Sequence, residues 1–166
     1  MHHALLPRVS FCFVSNARTN LVYRFYNYTN QRPLHCLHAR SCPSASLDYI
    51  IEPWFLGPGA EGPGGPEFND WAKDTASAYG TTFGTSVSDL PDPKQPRVAL
   101  ISGRTADNPR LLGECIKAGC KCIYLEKPGA PTVAELQQMK DEAEEAGIEV
   151  LMGYNKVSDA VRVQSA

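Results

Sequence analysis

The stretch KCIYLEKPG, residues 121–129, predicts a buried strand that stops at a charged corner. Its central Ile-Tyr-Leu is apolar and suits a strand. The Pro-Gly pair cannot continue a strand, so Glu126 and Lys127 are presented at its carboxyl end. In an open parallel α/β sheet, ligands bind at that edge. The alternative is a solvated Glu-Lys pair in an ordinary turn, and the flanking pattern favours the site.

The segments around this stretch alternate between strand and helix patterns. Apolar residues at helical spacing, with proline in the first turn and glycine after the last, indicate helices. The predicted elements are a strand at Leu47–Ile51, a helix from Pro66 to Gly80, a strand at Arg97–Ser102, a helix capped by Asn108 and closed by Gly119, the strand ending at Glu126, a helix from Pro131 to Ala146 and a strand at Ile148–Met152. Such βα units of roughly 25 residues imply an α/β fold with a parallel sheet and right-handed crossovers.

Residues 1–45 differ from the rest in charge. They contain five arginines and no acidic residue, whereas the remainder contains 11 basic and 18 acidic residues, a formal charge of +5 against -7. We expect a disordered or transit-peptide-like segment here, although Val9–Val14 and Leu21–Tyr28 could be short strands. A partial domain of this α/β fold is predicted at 46–156, which the resemblance described below implies to be dinucleotide-binding, and an irregular tail is predicted at 157–166. The expected location is the cytoplasm, or an organelle if residues 1–45 are a transit peptide.

Composition argues against several functional classes. The net charge of -2 does not suggest nucleic acid as a partner, and no apolar run reaches the length of a membrane span. The six cysteines form no C-x-x-C pair, and the spacing of His35, Cys36, His38 and Cys42 fits no standard zinc site, so no metal is predicted. Cys120 and Cys122 alternate along a strand and are expected to share a face.

A second glycine-rich stretch, GPGAEG at 57–62, formally matches G-x-G-x-x-G. That motif binds a pyrophosphate only when a helix starts at once, so that the amides of its first turn meet the ligand. Here a Pro-Gly-Gly-Pro run follows instead. A flexible loop is therefore favoured over a dinucleotide-binding turn.

The block from Ala118-Gly119 through Glu126-Lys127-Pro128 to Pro131–Leu136, followed by a strand ending in Gly153-Tyr154, resembles the Gfo/Idh/MocA family of NAD(P)-dependent oxidoreductases. The similarity covers about residues 66–156. It implies a Rossmann-like domain that binds NAD or NADP, and hydride transfer between that cofactor and a sugar- or polyol-like substrate. A C-terminal α/β domain carries the substrate site in this family.

The resemblance also implies roles for particular residues. Lys127 would face the nicotinamide and the substrate as the catalytic residue, relaying a proton or polarising an oxygen. Glu126 would contact the nicotinamide ribose, and Pro128 would shape the corner through a cis bond.

Further cofactor contacts are expected at the ends of two other strands. Ser102, Gly103 and Arg104 would lie beside the cofactor, as would Asn108, where the family usually has histidine; Gly103-Arg104 replace the usual Thr-Pro. Glu52 is the candidate acid for the adenosine ribose hydroxyls, or else a loop carboxylate before proline.

Two parts of the family pattern are not recognised in this sequence. No strand, glycine-rich turn and helix precede Leu47, and about ten residues follow Lys156. The sequence therefore predicts an incomplete, doubly wound Rossmann-like sheet from a truncated enzyme, with weak cofactor binding or none and no efficient turnover alone. The alternative is a non-catalytic nucleotide-binding or protein-interaction module, with self-association as an option at an unpaired sheet edge.

Overall fold

The computed structural model describes residues 9–15 and 45–153. These residues form six strands and three α-helices, with two short 3₁₀ turns at Val87–Asp89 and Thr105–Asp107. The strands are β1 (Val9–Ser15), β2 (Ala45–Ile51), β3 (Thr82–Gly84), β4 (Arg97–Ser102), β5 (Cys120–Glu126) and β6 (Glu149–Gly153). The helices are α1 (Gly65–Tyr79), α2 (Asn108–Lys117) and α3 (Val133–Glu145).

All six strands are parallel and lie in the order β3-β2-β1-β4-β5-β6. This is the order of a doubly wound Rossmann-type sheet, in which the order of the strands reverses between β1 and β4. The predicted α/β class is therefore confirmed. β1 lies at the centre of the sheet, where Val14 is paired with Ile51 on one side and Ile101 on the other.

The expectation that the sheet lacks its first strand is wrong. Val9–Ser15 occupies that place, so the predicted boundary at residue 46 does not hold for this strand. The short strand considered at Val9–Val14 is confirmed. The role of β1 was not predicted because no recognisable turn and helix pattern follows it in the sequence. Its position in the sheet is set by pairing with β2 and β4 on its two sides. The possible strand at Leu21–Tyr28 lies outside the described residues, as does most of the proposed transit peptide.

The two faces of the sheet have different cores. One is covered by α2 and α3 and is mainly aliphatic; its fully buried members include Cys12, Val14, Ala99, Ile101, Leu112, Ile123 and Leu125. On the other face, Leu47 and Ile50 pack with Trp71 of α1 and Phe83 of β3. Phe68 stacks on Phe55 with ring centroids 5.2 Å apart. Burying a side chain of this size contributes roughly 1.5–3 kcal/mol before entropy is subtracted.

Helix boundaries follow the local sequence. The α1 helix starts with proline in its first turn and ends at Gly80, whose φ of 69° is left-handed. Before α3, Thr132 Oγ1 accepts a hydrogen bond from Glu135 N–H (3.2 Å) and donates one to the Glu135 carboxylate (2.6 Å). This reciprocal cap satisfies an amide that would otherwise lack a helical partner.

Two local features were not predicted. Strand β3 has three residues, too few for a periodic pattern, and it forms by pairing with the end of β2. In β5 the register shifts, because Arg97 pairs with Cys120 and Val98 with Cys122, leaving Lys121 as a bulge. Cys120 consequently joins the aliphatic core while Cys122 is only half-buried. The expectation that these cysteines share a face is therefore wrong.

The GPGAEG segment follows β2 and not β1, as predicted for a stretch that is not the dinucleotide-binding turn. It is a run of hydrogen-bonded turns. Gly59 N–H donates to Trp54 O (2.8 Å), and Gly62 N–H and Gly65 N–H donate to Gly59 O and Gly62 O (3.1 and 2.9 Å). These hydrogen bonds form successive turns in a segment that the composition suggested to be a flexible loop.

Within residues 9–15 and 45–153, no helix is both long and apolar enough to cross a bilayer. The same residues contain no group of three or more potential metal ligands. His35, Cys36, His38 and Cys42 lie outside the described part of the chain.

Candidate functional site

The register of the sheet brings several polar strand ends to one edge. Ser15 pairs with Ser102, and Glu126 pairs with Gly153. Ile101 pairs with Leu125, so Ser102 and Glu126 each stand one residue beyond that pair. Because every strand is parallel, all carboxyl ends share this edge, which is where an open α/β sheet binds ligands.

The Glu126 corner, residues 126–129, is the charged end of β5. The Lys127–Pro128 peptide bond is cis, as predicted. Lys127 is exposed at the edge of the sheet, and Glu126 is half-buried. Gly129 has a φ of 89°, in the left-handed region that favours glycine. A Cβ on Gly129 would lie 2.7 Å from Met152 Cε and 2.8 Å from Leu136 Cδ2, so these two side chains would have to shift to accommodate it.

The buried side chain of Asn108 is hydrogen-bonded to the Glu126 corner. It is 1% exposed, and its Nδ2 donates a 2.8 Å hydrogen bond to Gly129 O. Asn108 is already the first residue of α2, and its side chain makes no capping bond, so the predicted cap is corrected. Its predicted direct contact with cofactor stays a prediction. What the structure shows is a tie between the start of α2 and the Glu126 corner.

Gly103 makes room for this tie. A Cβ there would lie 2.7 Å from Leu111 Cδ1 and 3.0 Å from Asn108 Oδ1. With a larger residue at this position, the Leu111 side chain would have to shift and the Asn108 side chain would be crowded. Ser102, just before it, is 8% exposed. Ser102 and Gly103 thus lie at the sheet edge beside β5, with Gly103 in a packing role, and their predicted place beside the cofactor stays a prediction.

Glu52 lies at the end of β2, the position expected for a ribose-binding acid, but its side chain is turned inward. It is 1% exposed. Its Oε1 accepts hydrogen bonds from Trp54 N–H (3.0 Å) and Phe55 N–H (3.5 Å). In this structure Glu52 supports the turn after β2.

A cleft of about 570 Å³ opens beside Glu52, at the carboxyl ends of β1 to β4. It is formed by the turn after β2, the segment after β3 and the segment from the end of β4 into α2. Its lining includes Trp54, Ser86, Arg104, Asp107, Arg110 and Glu114. The size is that of a small-molecule site, and it spans the place where the strand order reverses.

The charges in this cleft are not evenly paired. Arg110 forms a 2.6 Å ion pair with Glu114 and approaches Asp107 at 4.0 Å. Among the ion pairs between described residues, none includes Arg104, which is exposed on the rim. The cleft thus holds two acids around one arginine and a second arginine facing solvent.

Sequence reasoning missed most of the cleft. It named Arg104 beside the cofactor, but not Trp54, Ser86 or Arg110. No local pattern marks these residues, because they come from three separate connections. Helix α2 alone offered a signal, since Arg110 and Glu114 are four residues apart and so face the same side.

The phosphate-binding turn of a Rossmann fold would follow β1. Residues 16–44 lie outside the described part of the chain, and all 13 glycines of the sequence occur at or after Gly57. Glycine amides for the pyrophosphate of a dinucleotide are not available in the sequence between β1 and β2.

A family model for Gfo/Idh/MocA, described as an oxidoreductase family with an NAD-binding Rossmann fold, matches residues 69–154. That is 86 of the 166 residues, and it includes the Glu126 corner, Asn108 and the segment after β4. The chain belongs to the Gfo/Idh/MocA family. The predicted family and the predicted cofactor, a nicotinamide dinucleotide, are thereby confirmed.

This member of the Gfo/Idh/MocA family also matches solved structures at low sequence identity. GenD2 from gentamicin A biosynthesis, solved in complex with NAD, has a TM-score of 0.61 at 16% identity, over 89% of this chain and 35% of that chain. A putative myo-inositol dehydrogenase from Sinorhizobium meliloti 1021 has 0.60 at 17%, over 89% and 36%. A probable dehydrogenase from Thermotoga maritima has 0.60 at 16%, over 91% and 38%.

At these identities the likeness of the Gfo/Idh/MocA chain to solved structures establishes the fold alone. The chain spans 35 to 38% of the length of the three structures. No curated protein matches the chain.

Proposed function

We propose that this chain forms the cofactor-binding domain of an oxidoreductase that moves hydride between NAD(P) and a hydroxyl or carbonyl group of a sugar- or polyol-like substrate. The observation that carries the proposal is the Glu126 corner. It presents an exposed lysine at the carboxyl end of β5, which is the neighbour of β4 in the sheet. This end lies on the same edge of the sheet as the 570 Å³ cleft. One similar structure is described as a putative myo-inositol dehydrogenase, which supports the substrate class.

In this proposal the cleft takes the adenosine half of the cofactor and the Glu126 corner takes the nicotinamide half. Glu126 would contact the nicotinamide ribose, and Ser102, at the end of β4, would lie beside the cofactor. Pro128 sets the direction in which Lys127 leaves the strand. Asn108 keeps the corner in place through Gly129 O.

Lys127 handles the proton that accompanies hydride transfer. When a carbonyl is reduced, its carbon receives the hydride and the Lys127 ammonium donates a proton to its oxygen. In the reverse direction, the Lys127 amine accepts the hydroxyl proton as the carbon loses hydride. The nicotinamide supplies or accepts the hydride. General acid–base catalysis of this kind contributes about 10²- to 10⁴-fold in rate.

The predicted weakness of binding has a physical basis in the glycine-free segment after β1. Glycine lets the backbone approach a pyrophosphate closely, and the helix that follows directs its amides at the ligand. The same feature supports the alternative of a non-catalytic module that retains the fold. The unpaired edge once expected from a missing first strand does not support it, because β1 is present.

Cofactor binding is tested by titrating the purified full chain with NADH and NADPH and following nicotinamide fluorescence. Ser86 lines the cleft and Ser88 is exposed outside it, so Ser86→Trp and Ser88→Trp form a matched pair. We expect saturable binding that weakens about tenfold or more in Ser86→Trp, because the indole fills the cleft, and stays within about twofold in Ser88→Trp. Absence of saturable binding by a folded chain would contradict the proposal.

Catalysis is tested by screening polyols and sugars with the better-bound cofactor. Lys127→Ala is compared with Lys121→Ala, which removes an exposed lysine from the bulge of the same strand. We expect Lys127→Ala to lower any turnover by about 10²-fold or more, and Lys121→Ala to leave it unchanged. Cofactor binding with no turnover on any substrate would favour the non-catalytic module.

A further inference from the structure

The identity of the dinucleotide depends on what surrounds the 2′ position of the adenosine ribose. In Rossmann folds that use NAD, an acid after the second strand accepts hydrogen bonds from the ribose hydroxyls, whereas a nearby arginine accommodates the 2′-phosphate of NADP. Residues of both types occur at the cleft beside β2, because Glu52 lies next to it in the chain and Arg104 lines it. Their burial and their partners indicate which one is available to a ligand.

The acid is already engaged by the protein. Glu52 has 1% of its surface exposed, and Oε1 accepts from the amides of Trp54 and Phe55. The cleft is lined by its neighbours Ile51, Pro53 and Trp54, and Glu52 is not among the lining residues. Because Glu52 is buried and does not line the cleft, a ribose diol in the cleft could reach its carboxylate only if the turn after β2 moved.

The arginine on the rim is not engaged in this way. Arg104 lines the cleft opposite the turn after β2, and no ion pair between described residues includes it. The two acids on the same wall are directed at another cation, since Glu114 lies 2.6 Å and Asp107 4.0 Å from the Arg110 guanidinium. Arg104 is therefore the cationic side chain of the cleft that is available to bind an anion.

We propose that Arg104 makes this cleft select a dinucleotide with a 2′-phosphate, so that the chain binds NADP(H) more tightly than NAD(H). A guanidinium matches a phosphate with two parallel N–H···O bonds, whereas a ribose hydroxyl offers no charge to it. The inference rests on the proposed function, because it takes the cleft to be the adenosine site. It adds the residue that sets cofactor preference.

The full chain is titrated with NADPH and NADH, and with 2′,5′-ADP and 5′-AMP, which differ in the 2′-phosphate alone. The variants are Arg104→Ala, Arg104→Lys and the charge control Lys117→Ala, at the exposed far end of α2. We expect tighter binding of both 2′-phosphorylated ligands by about tenfold to a hundredfold, as a charged hydrogen-bonded contact provides. Arg104→Ala should remove that preference, and Arg104→Lys should keep part of it.

The preference should also weaken with salt in the parent chain and not in Arg104→Ala, because it is electrostatic. Equal binding of the phosphorylated and unphosphorylated ligands would overturn the inference while leaving the proposed function intact. A preference that survives Arg104→Ala, or that Lys117→Ala removes equally, would overturn the role of Arg104. Failure of all four ligands to bind a folded chain would overturn the proposed function and this inference together.

Discussion

Two strands of this sheet end in a glutamate followed closely by proline, and the two corners are built differently. The Glu52 corner, residues 52–54, is held by its own acid, which is buried and accepts turn amides. The Glu126 corner is held by its neighbours, through the bond from Asn108 to Gly129 O and the tight fit of Gly129. A strand-end acid is thus no guide to ligand binding until the turn after it is known. In one corner the acid is part of the structure, and in the other it lies beside an exposed lysine.

The largest loss of unfolding free energy is expected from Gly129→Ala, which changes a residue of the Glu126 corner. The left-handed φ of 89° and the collision with Met152 and Leu136 together should cost about 2–5 kcal/mol of unfolding free energy. Gly147→Ala is the control, because Gly147 has a φ of 65° and no atom within 4 Å of a new Cβ, so about 1–2 kcal/mol is expected. Urea unfolding measures both. Equal losses would show that packing does not hold the Glu126 corner.

An intermediate effect is expected when the two acids are exchanged for their amides. Glu52→Gln should lower the unfolding free energy by about 1–3 kcal/mol, because a charged acceptor of buried amides is lost. Glu126→Gln should lower it by less than about 1 kcal/mol, because that acid is half-buried. Chemical denaturation of the two variants decides the comparison. If Glu126→Gln is the more damaging, then both corners depend on their acids.

The smallest effect concerns Tyr124, which lies two residues before Glu126 on the same strand. Burial, and to a lesser degree the Glu126 carboxylate, raise the pKa of Tyr124 above its ordinary value of 10.0. Because its pKa is raised, Tyr124 keeps its proton in the folded chain at a pH where the unfolded chain loses it. The contribution of Tyr124 to the free energy of unfolding is therefore fully present below pH 10 and is lost as the pH rises above that value. In Glu126→Gln, the pKa of Tyr124 should fall part of the way back, because burial remains.

Tyrosinate absorbance reports this shift, with Tyr124→Phe subtracted to isolate one of the seven tyrosines. An unchanged titration in Glu126→Gln would show that the carboxylate does not act on Tyr124. An unaltered alkaline stability curve in Tyr124→Phe would remove the linkage altogether.

The Glu126 corner could be recognised from sequence because its determinants are local. The apolar run before it, the Pro-Gly pair after it and the helix signals on both sides lie within about forty residues, and each acts through backbone preference or periodicity. For the same reason β4, β5, α2 and α3 were placed within one or two residues, whereas the cis bond at Pro128 was expected from the family resemblance. The roles of Lys127 and Glu126 came from the family resemblance, and they stay predictions.

The rest depended on contacts between distant segments. Val9–Ser15 was a weak strand pattern in a segment of unusual composition, and only pairing with β2 and β4 makes it the centre of the sheet. The bulge at Lys121 arises because β5 must align with β4, so no property of β5 alone predicts it. The cleft is assembled from three connections that a linear pattern does not relate.

The sequence by itself determined the alternation of helices and strands, and with it the parallel α/β class, because periodicity and helix capping are local properties. It also determined that a lysine follows the buried strand β5 at the ligand-binding edge. The tertiary structure decided which segment fills the centre of the sheet, which glutamate is committed to a turn and which arginine is left facing the cleft. These depend on pairing, burial and the nearest opposite charge, which are set by residues far apart in the chain.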